Sequence, residues 1–124
     1  SQPSYPPYNI EAVEKDKYQI TMAVAGFVES ELELQSEKQT LTVKGKKEEA
    51  DGNRNYLHQG IAARNFERRF QLADHVEVVG ANLANGLLYI DLVRVIPEAM
   101  RPKKIPINGV ERPKLTSVQK QSVA

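Results

Sequence analysis

All seven prolines of this 124-residue chain lie outside its middle, with Pro3, Pro6 and Pro7 in front and Pro97, Pro102, Pro106 and Pro113 behind. Proline has no N–H to give to a sheet ladder, so a proline-free block over residues 8–96 with proline-bearing flanks predicts one hydrogen-bonded domain between two extended arms. The formal charge divides at the same place. From residue 94 onward seven Lys or Arg face two Glu, a balance of +5, while the preceding residues carry ten basic and fourteen acidic side chains, a balance of −4. A mildly acidic body therefore precedes a basic tail, and the whole chain, at +1, is too nearly neutral for a general nucleic-acid binder. The absence of cysteine excludes disulfides, thiolate zinc sites and cysteine nucleophiles, and fits a reducing, cytoplasmic compartment.

Within the block the period is two. Tyr18, Ile20, Met22 and Val24 alternate with Gln19, Thr21 and Ala23, and Leu32 and Leu34 alternate with Glu31, Glu33 and Gln35. Leu41 and Val43 follow after a polar turn at residues 36–39. Phe66, Phe70 and Leu72 share a parity with Arg68, and Leu88, Ile90 and Leu92 come after the hairpin signal Asn85-Gly86. Ile10 with Val13 makes a weaker first strand, and residues 76–83 another. About seven short strands at turn spacing, without a comparable helical stretch, predict an all-β, immunoglobulin-like antiparallel sandwich that lacks the Cys and Trp landmarks of antibody domains. Residues 45–55 break the pattern. They read either as a long solvated hairpin loop or as an excursion carrying a short strand, Tyr56, Leu57 and His58, to another subunit.

Catalytic constellations are not visible. His58 and His75 stand 17 positions apart without HExxH spacing or an acidic cluster, so each reads as structural or solvated, with no metal site. No serine lies in a GxSxG elbow, and Lys44-Gly45-Lys46-Lys47 lacks phosphate-loop spacing, so neither a cofactor nor an enzyme activity is expected. The longest charge-free run, residues 78–90, is broken by Gly80 and Gly86 and falls short of the roughly 20 apolar residues of a membrane helix. Residues 1–8 show no secretory signal, and the start at Ser1 reads as a processed or trimmed form. Arg68, whose parity places it with Phe66 and Phe70, needs either a path out to solvent or an inter-subunit ion pair.

The tail carries a more informative pattern, Pro102-Lys103-Lys104-Ile105-Pro106-Ile107-Asn108. In an extended chain Ile105 and Ile107 point the same way, and Pro106 between them stiffens the pair. The two isoleucines read either as knobs that dock beside another sheet edge or as an undocked apolar pair in a flexible tail.

Three stretches carry a resemblance to a known family. Ala81-Asn82-Leu83-Ala84-Asn85-Gly86-Leu87-Leu88 is similar to the A-x-x-x-x-G-[VL]-L signature of the small heat shock proteins, the α-crystallin-domain family. Phe66-Glu67-Arg68-Arg69-Phe70-Gln71-Leu72 resembles the Arg-bearing strand of that family, and Ile105-Pro106-Ile107 its C-terminal I-x-I. Pro6-Pro7-Tyr8-Asn9 and Val24-Ala25-Gly26-Phe27 support the likeness, which spans about residues 8–108 and is nearest to the bacterial inclusion-body-binding type. It implies an α-crystallin domain at 8–96, a remnant of an N-terminal arm at 1–7 and a C-terminal extension at 97–124.

The function implied is that of an ATP-independent holdase that binds partly unfolded proteins and keeps them from aggregating. The implied partners are the chain itself, as dimer and higher oligomer, unfolded clients and a related small heat shock protein, with no nucleic acid and no membrane. Tyr56, Leu57 and His58 would pair with the neighbouring subunit, and Arg68 falls on the family's dimer-associated arginine. Ile105-Pro106-Ile107 would dock in a groove to which Leu32, Leu34, Val79 and Leu83 correspond. Glu29, Glu31 and Glu33 flank that groove while Lys103 and Lys104 precede the knobs, so docking should be partly steered by charge. Two features depart from the family pattern: only seven residues precede Tyr8, and Ala73 follows Leu72 where proline is common. A co-chaperone or scaffold module of the CS-domain kind, binding folded partners without tail docking, is the alternative.

Overall fold

The computed structural model describes residues 5–48 and 54–108. Residues 49–53, residues 1–4 and the basic stretch with Arg112, Lys114 and Lys120 lie outside them. The strands are β1 (Tyr8–Glu14), β2 (Lys17–Ala23), β3 (Leu32–Glu37), β4 (Thr40–Gly45), β5 (Phe66–Gln71), β6 (Val76–Ala84) and β7 (Leu87–Arg94), with 3₁₀ turns at Glu29–Glu31 and Glu98–Met100. They form a four-stranded sheet in the order β1-β2-β7-β6 and a three-stranded sheet in the order β3-β4-β5, every pairing antiparallel.

Alternation decides which residues meet between the sheets. Ile20 pairs with Ile90, Met22 with Leu88 and Tyr18 with Leu92 on the four-stranded side, while Leu41 pairs with Phe70 on the other. Ile20, Met22, Val24, Phe27, Leu41, Val43, Phe70, Leu88, Ile90 and Leu92 are buried and form one core. Burying side chains of this size stabilises by about 1.5–3 kcal/mol each, before ordering costs.

The turns hold the register. Asn85 and Gly86 both have positive φ, 55° and 79°, which is the two-residue hairpin geometry that an Asn-Gly pair favours. Lys38 and Gln39 adopt the same geometry with φ of 50° and 66°, so the turn is narrower than residues 36–39, and Ser36 and Glu37 stay in the ladder. Gln39 offsets the strain of that turn: its side chain donates to the Ala73 carbonyl at 2.7 Å, and its own carbonyl accepts from Leu72 N–H at 2.7 Å.

Tyr56, Leu57 and His58 form no strand within the single chain. One sequence expectation changes. The β6 strand carries a bulge between Val78 and Gly80, so Val79 is the extra residue, 59% exposed, and strict alternation from Val79 to Leu83 fails.

Candidate functional site

Four of the sequence-predicted groups occupy three places on the sandwich. At the first, β3 and β6 are each an edge strand of their sheet, and an open cleft of about 350 Å³ runs between them. Leu32 and Leu34 line it from β3, Ala81, Asn82 and Leu83 from β6, Leu88 from below and Glu29 from the 3₁₀ turn. Leu32, Leu34 and Leu83 are half-buried against the core, so the cleft floor is apolar and continuous with the interior. Val79 does not line it, since the bulge turns that position away. Of the three flanking glutamates only Glu29 is at the cleft. Glu33 pairs with Lys44 in register and lies on the outer face, away from Leu32 and Leu34.

Glu31 is occupied elsewhere. Its carboxylate accepts from Val28 N–H at 3.0 Å, Glu48 N–H at 3.1 Å and Lys47 Nζ at 3.1 Å, with the Glu31 side chain 6% exposed. The Val28 N–H above all, then the Glu48 N–H and the Lys47 ammonium, hold the carboxyl below its ordinary value against the opposing effect of burial. Lys47 also donates from Nζ to the Gly26 carbonyl, lies over the Phe27 ring and donates its backbone N–H to Asn65 Oδ1 at 2.8 Å. This knot ties the two roots of the long loop to the start of β3. Residues 16 and 18 positions apart meet in it, and no local pattern marks such a meeting.

The loop itself is the second place. Tyr56, Leu57 and His58 are all exposed, Leu57 completely, and Ile61 beyond them is exposed as well. The third lies where the chain enters the sandwich. Arg68, opposite Val43 in register, places its guanidinium over the Tyr8 ring at 4.9 Å and donates to the Tyr5 carbonyl at 3.3 Å. Arg64 covers the Tyr5 ring at 4.5 Å and donates its backbone N–H to the Tyr5 hydroxyl, while Tyr5 stands edge-on to Phe66 and Tyr8 edge-on to Phe70. Pro6 between them is fully buried. Arg68 thus makes two contacts within its own chain, with the Tyr5 carbonyl and the Tyr8 ring, that strand parity alone does not supply. Tyr5 is 63 positions away from it, beyond the reach of parity arguments.

In the tail, Ile105 and Ile107 are 80% and 87% exposed, and Pro106 is exposed between them. His58 and His75 do not gather ligands: among the described residues no group of three or more His, Cys, Asp or Glu is placed to hold a metal ion. Among the same residues no helix is long and apolar enough to cross a membrane.

The model of the Hsp20/alpha crystallin family matches residues 10–108, from the edge strand through the two tail isoleucines. The chain belongs to that family. Small heat shock protein IbpA of Escherichia coli O1:K1 is 60% identical over 104 residues, covering 84% of this chain and 76% of that protein. Among solved structures, a C-terminally truncated small heat shock protein AgsA from Salmonella typhimurium superposes with a TM-score of 0.66 at 32% identity, over 82% of this chain and 98% of the other. The small heat shock protein of Synechococcus phage S-ShM2 gives 0.65 at 36% identity, over 83% and 99%. The sandwich is thus an α-crystallin domain, and this small heat shock protein is a chaperone and not an enzyme.

Proposed function

We propose that this small heat shock protein is an ATP-independent holdase of the cytoplasm, built from strand-exchanged dimers that the Ile105-Pro106-Ile107 tails link into larger assemblies. One observation carries the reading: a cleft with Leu32, Leu34 and Leu83 on its floor lies open on the same chain that holds Ile105 and Ile107 out in solvent. Two buried isoleucines contribute about 3–6 kcal/mol gross. Ordering the tail and losing free tumbling offset most of that, so each contact is weak and reversible. Many such contacts acting together hold by avidity.

The exposed Tyr56, Leu57 and His58 supply the strand for exchange, and β1 of a neighbour supplies the edge. All seven residues of β1 are exposed, and it pairs on one side only. Arg68 sets the position of that edge by holding Tyr8, the first residue of β1. Clients are partly unfolded proteins, recognised by exposed apolar surface, and a related small heat shock protein can share the same cleft and tail contacts; neither nucleic acid nor a membrane is a partner.

Two measurements test this. Light scattering of a heat-labile protein should rise less in the presence of the chain. Native mass spectrometry should show the assembly collapsing to dimers in Ile105→Ala with Ile107→Ala. An unchanged assembly in that double variant overturns the linkage.

A further inference from the structure

Resting on the docking just proposed, we infer that Glu29 is a specificity determinant that biases the direction in which a neighbour's tail lies in the cleft. The tail would run parallel to β3, with Lys103 at Glu29, Ile105 at Leu32 and Ile107 at Leu34. A near-palindromic Ile-Pro-Ile has little direction of its own, so the choice falls to the residues around it. Along a strand, side chains two apart share a face and sit about 6.6 Å from one another. Lys103 therefore shares the face of Ile105 and Ile107, whereas Lys104 and Pro106 take the opposite one.

The cleft has a matching asymmetry. Glu29 lines it three residues before Leu32, from the 3₁₀ turn that leads into β3. The far end of β3 runs into the turn at Lys38, and Glu37 there is turned to the outer face, beside Lys38, Lys44 and Arg69. The other acidic candidates at the near end are removed by geometry. Glu31 is held by Lys47 and two backbone N–H groups, and Glu33 faces outward opposite Lys44. Of the flanking glutamates, one carboxylate is left in the cleft, at one end, for one lysine. An exposed pair of this kind favours the parallel direction by about two- to fivefold.

Because the chain contains no cysteine, single cysteines report the direction cleanly. Ser30→Cys and Ser36→Cys mark the two ends of β3 in one set of molecules, and Pro102→Cys and Asn108→Cys mark the tail in another. Mixing the two sets under oxidation, so that only links between chains count, should favour 102 with 30 and 108 with 36 by about two- to fivefold over the crossed pairs. Glu29→Lys should abolish or reverse the preference, and Lys103→Glu in the same chain should restore it. Lys104→Glu alone should leave it in place. Equal yields of all four pairs, or equal effects of Lys103→Glu and Lys104→Glu, overturn the directional role while leaving the docking intact. Loss of every link, together with an assembly indifferent to Ile105→Ala and Ile107→Ala, removes the docking itself.

Discussion

Gly45 closes β4 directly beneath the Phe66 ring, and a Cβ on Gly45 would run into that ring. Phe66 cannot retreat easily, being held edge-on by Tyr5 on one side and Phe27 on the other. Gly45→Ala should therefore cost about 1–3 kcal/mol in urea unfolding, the usual penalty of overpacking. Gly80→Ala, where a Cβ meets nothing within 4 Å, should stay within about 0.5 kcal/mol. Equal losses at both sites would mean that Phe66 does not hold its place. Glu31 makes a prediction with a sign. Its folded-state pKa is depressed by the Val28 and Glu48 N–H groups and Lys47, so its stabilisation is complete above the unfolded-state value and disappears as pH falls through the lower folded one. The melting temperature of Glu31→Gln should lie below that of the native chain at neutral pH, and the two should converge in acid below the ordinary carboxylate range. A gap independent of pH would exclude the carboxylate as its source.

Strands buried by their own chain were readable from alternation alone. Ile20 with Met22, Leu41 with Val43, and Leu88 with Ile90 and Leu92 each present one apolar face to the opposite sheet, so period and burial coincide. The pattern misplaced Val79 because a bulge adds a residue without any marker in the sequence at that point, Gly80 aside. It gave Arg68 the correct face, half-buried beside Phe66 and Phe70, but could not supply Tyr5 and Tyr8 as its neighbours from so far along the chain. Tyr56, Leu57 and His58 read either as loop or as a strand for another subunit, and within the single chain they are loop. Leu57→Glu should weaken the dimer in sedimentation velocity, yet leave the melting temperature of the sandwich within a degree or two, since the side chain touches nothing in its own domain. A large fall in melting temperature would assign Leu57 to the fold instead.

Taken together, three surfaces of the sandwich lie open at once: the β1 edge, the exposed loop residues and the β3–β6 cleft, with the tail isoleucines in solvent. They are not independent, because the 3₁₀ turn at Glu29–Glu31 contributes Glu29 to the cleft and Glu31 to the knot at the loop root. The proposed assembly would have two kinds of contact with different strengths. Strand exchange would form a ladder of backbone hydrogen bonds plus buried side chains, whereas a tail would contribute two isoleucines whose gain is nearly offset by ordering. Diluting the protein should therefore break the tail contacts first and release dimers, with single chains appearing only at much lower concentration. If several weak tail contacts hold each dimer in the proposed assembly, loss of the first lowers the effective concentration for the rest, and the transition should be steep. Mass photometry over a dilution series would show large assemblies and dimers with few species between them, and raising the salt should shift the transition to higher protein concentration by weakening the Lys103–Glu29 contribution. A gradual loss of single chains instead would mean that the tails, not the exchanged strands, form the stronger joint, and the hierarchy argued from the two surfaces would be inverted.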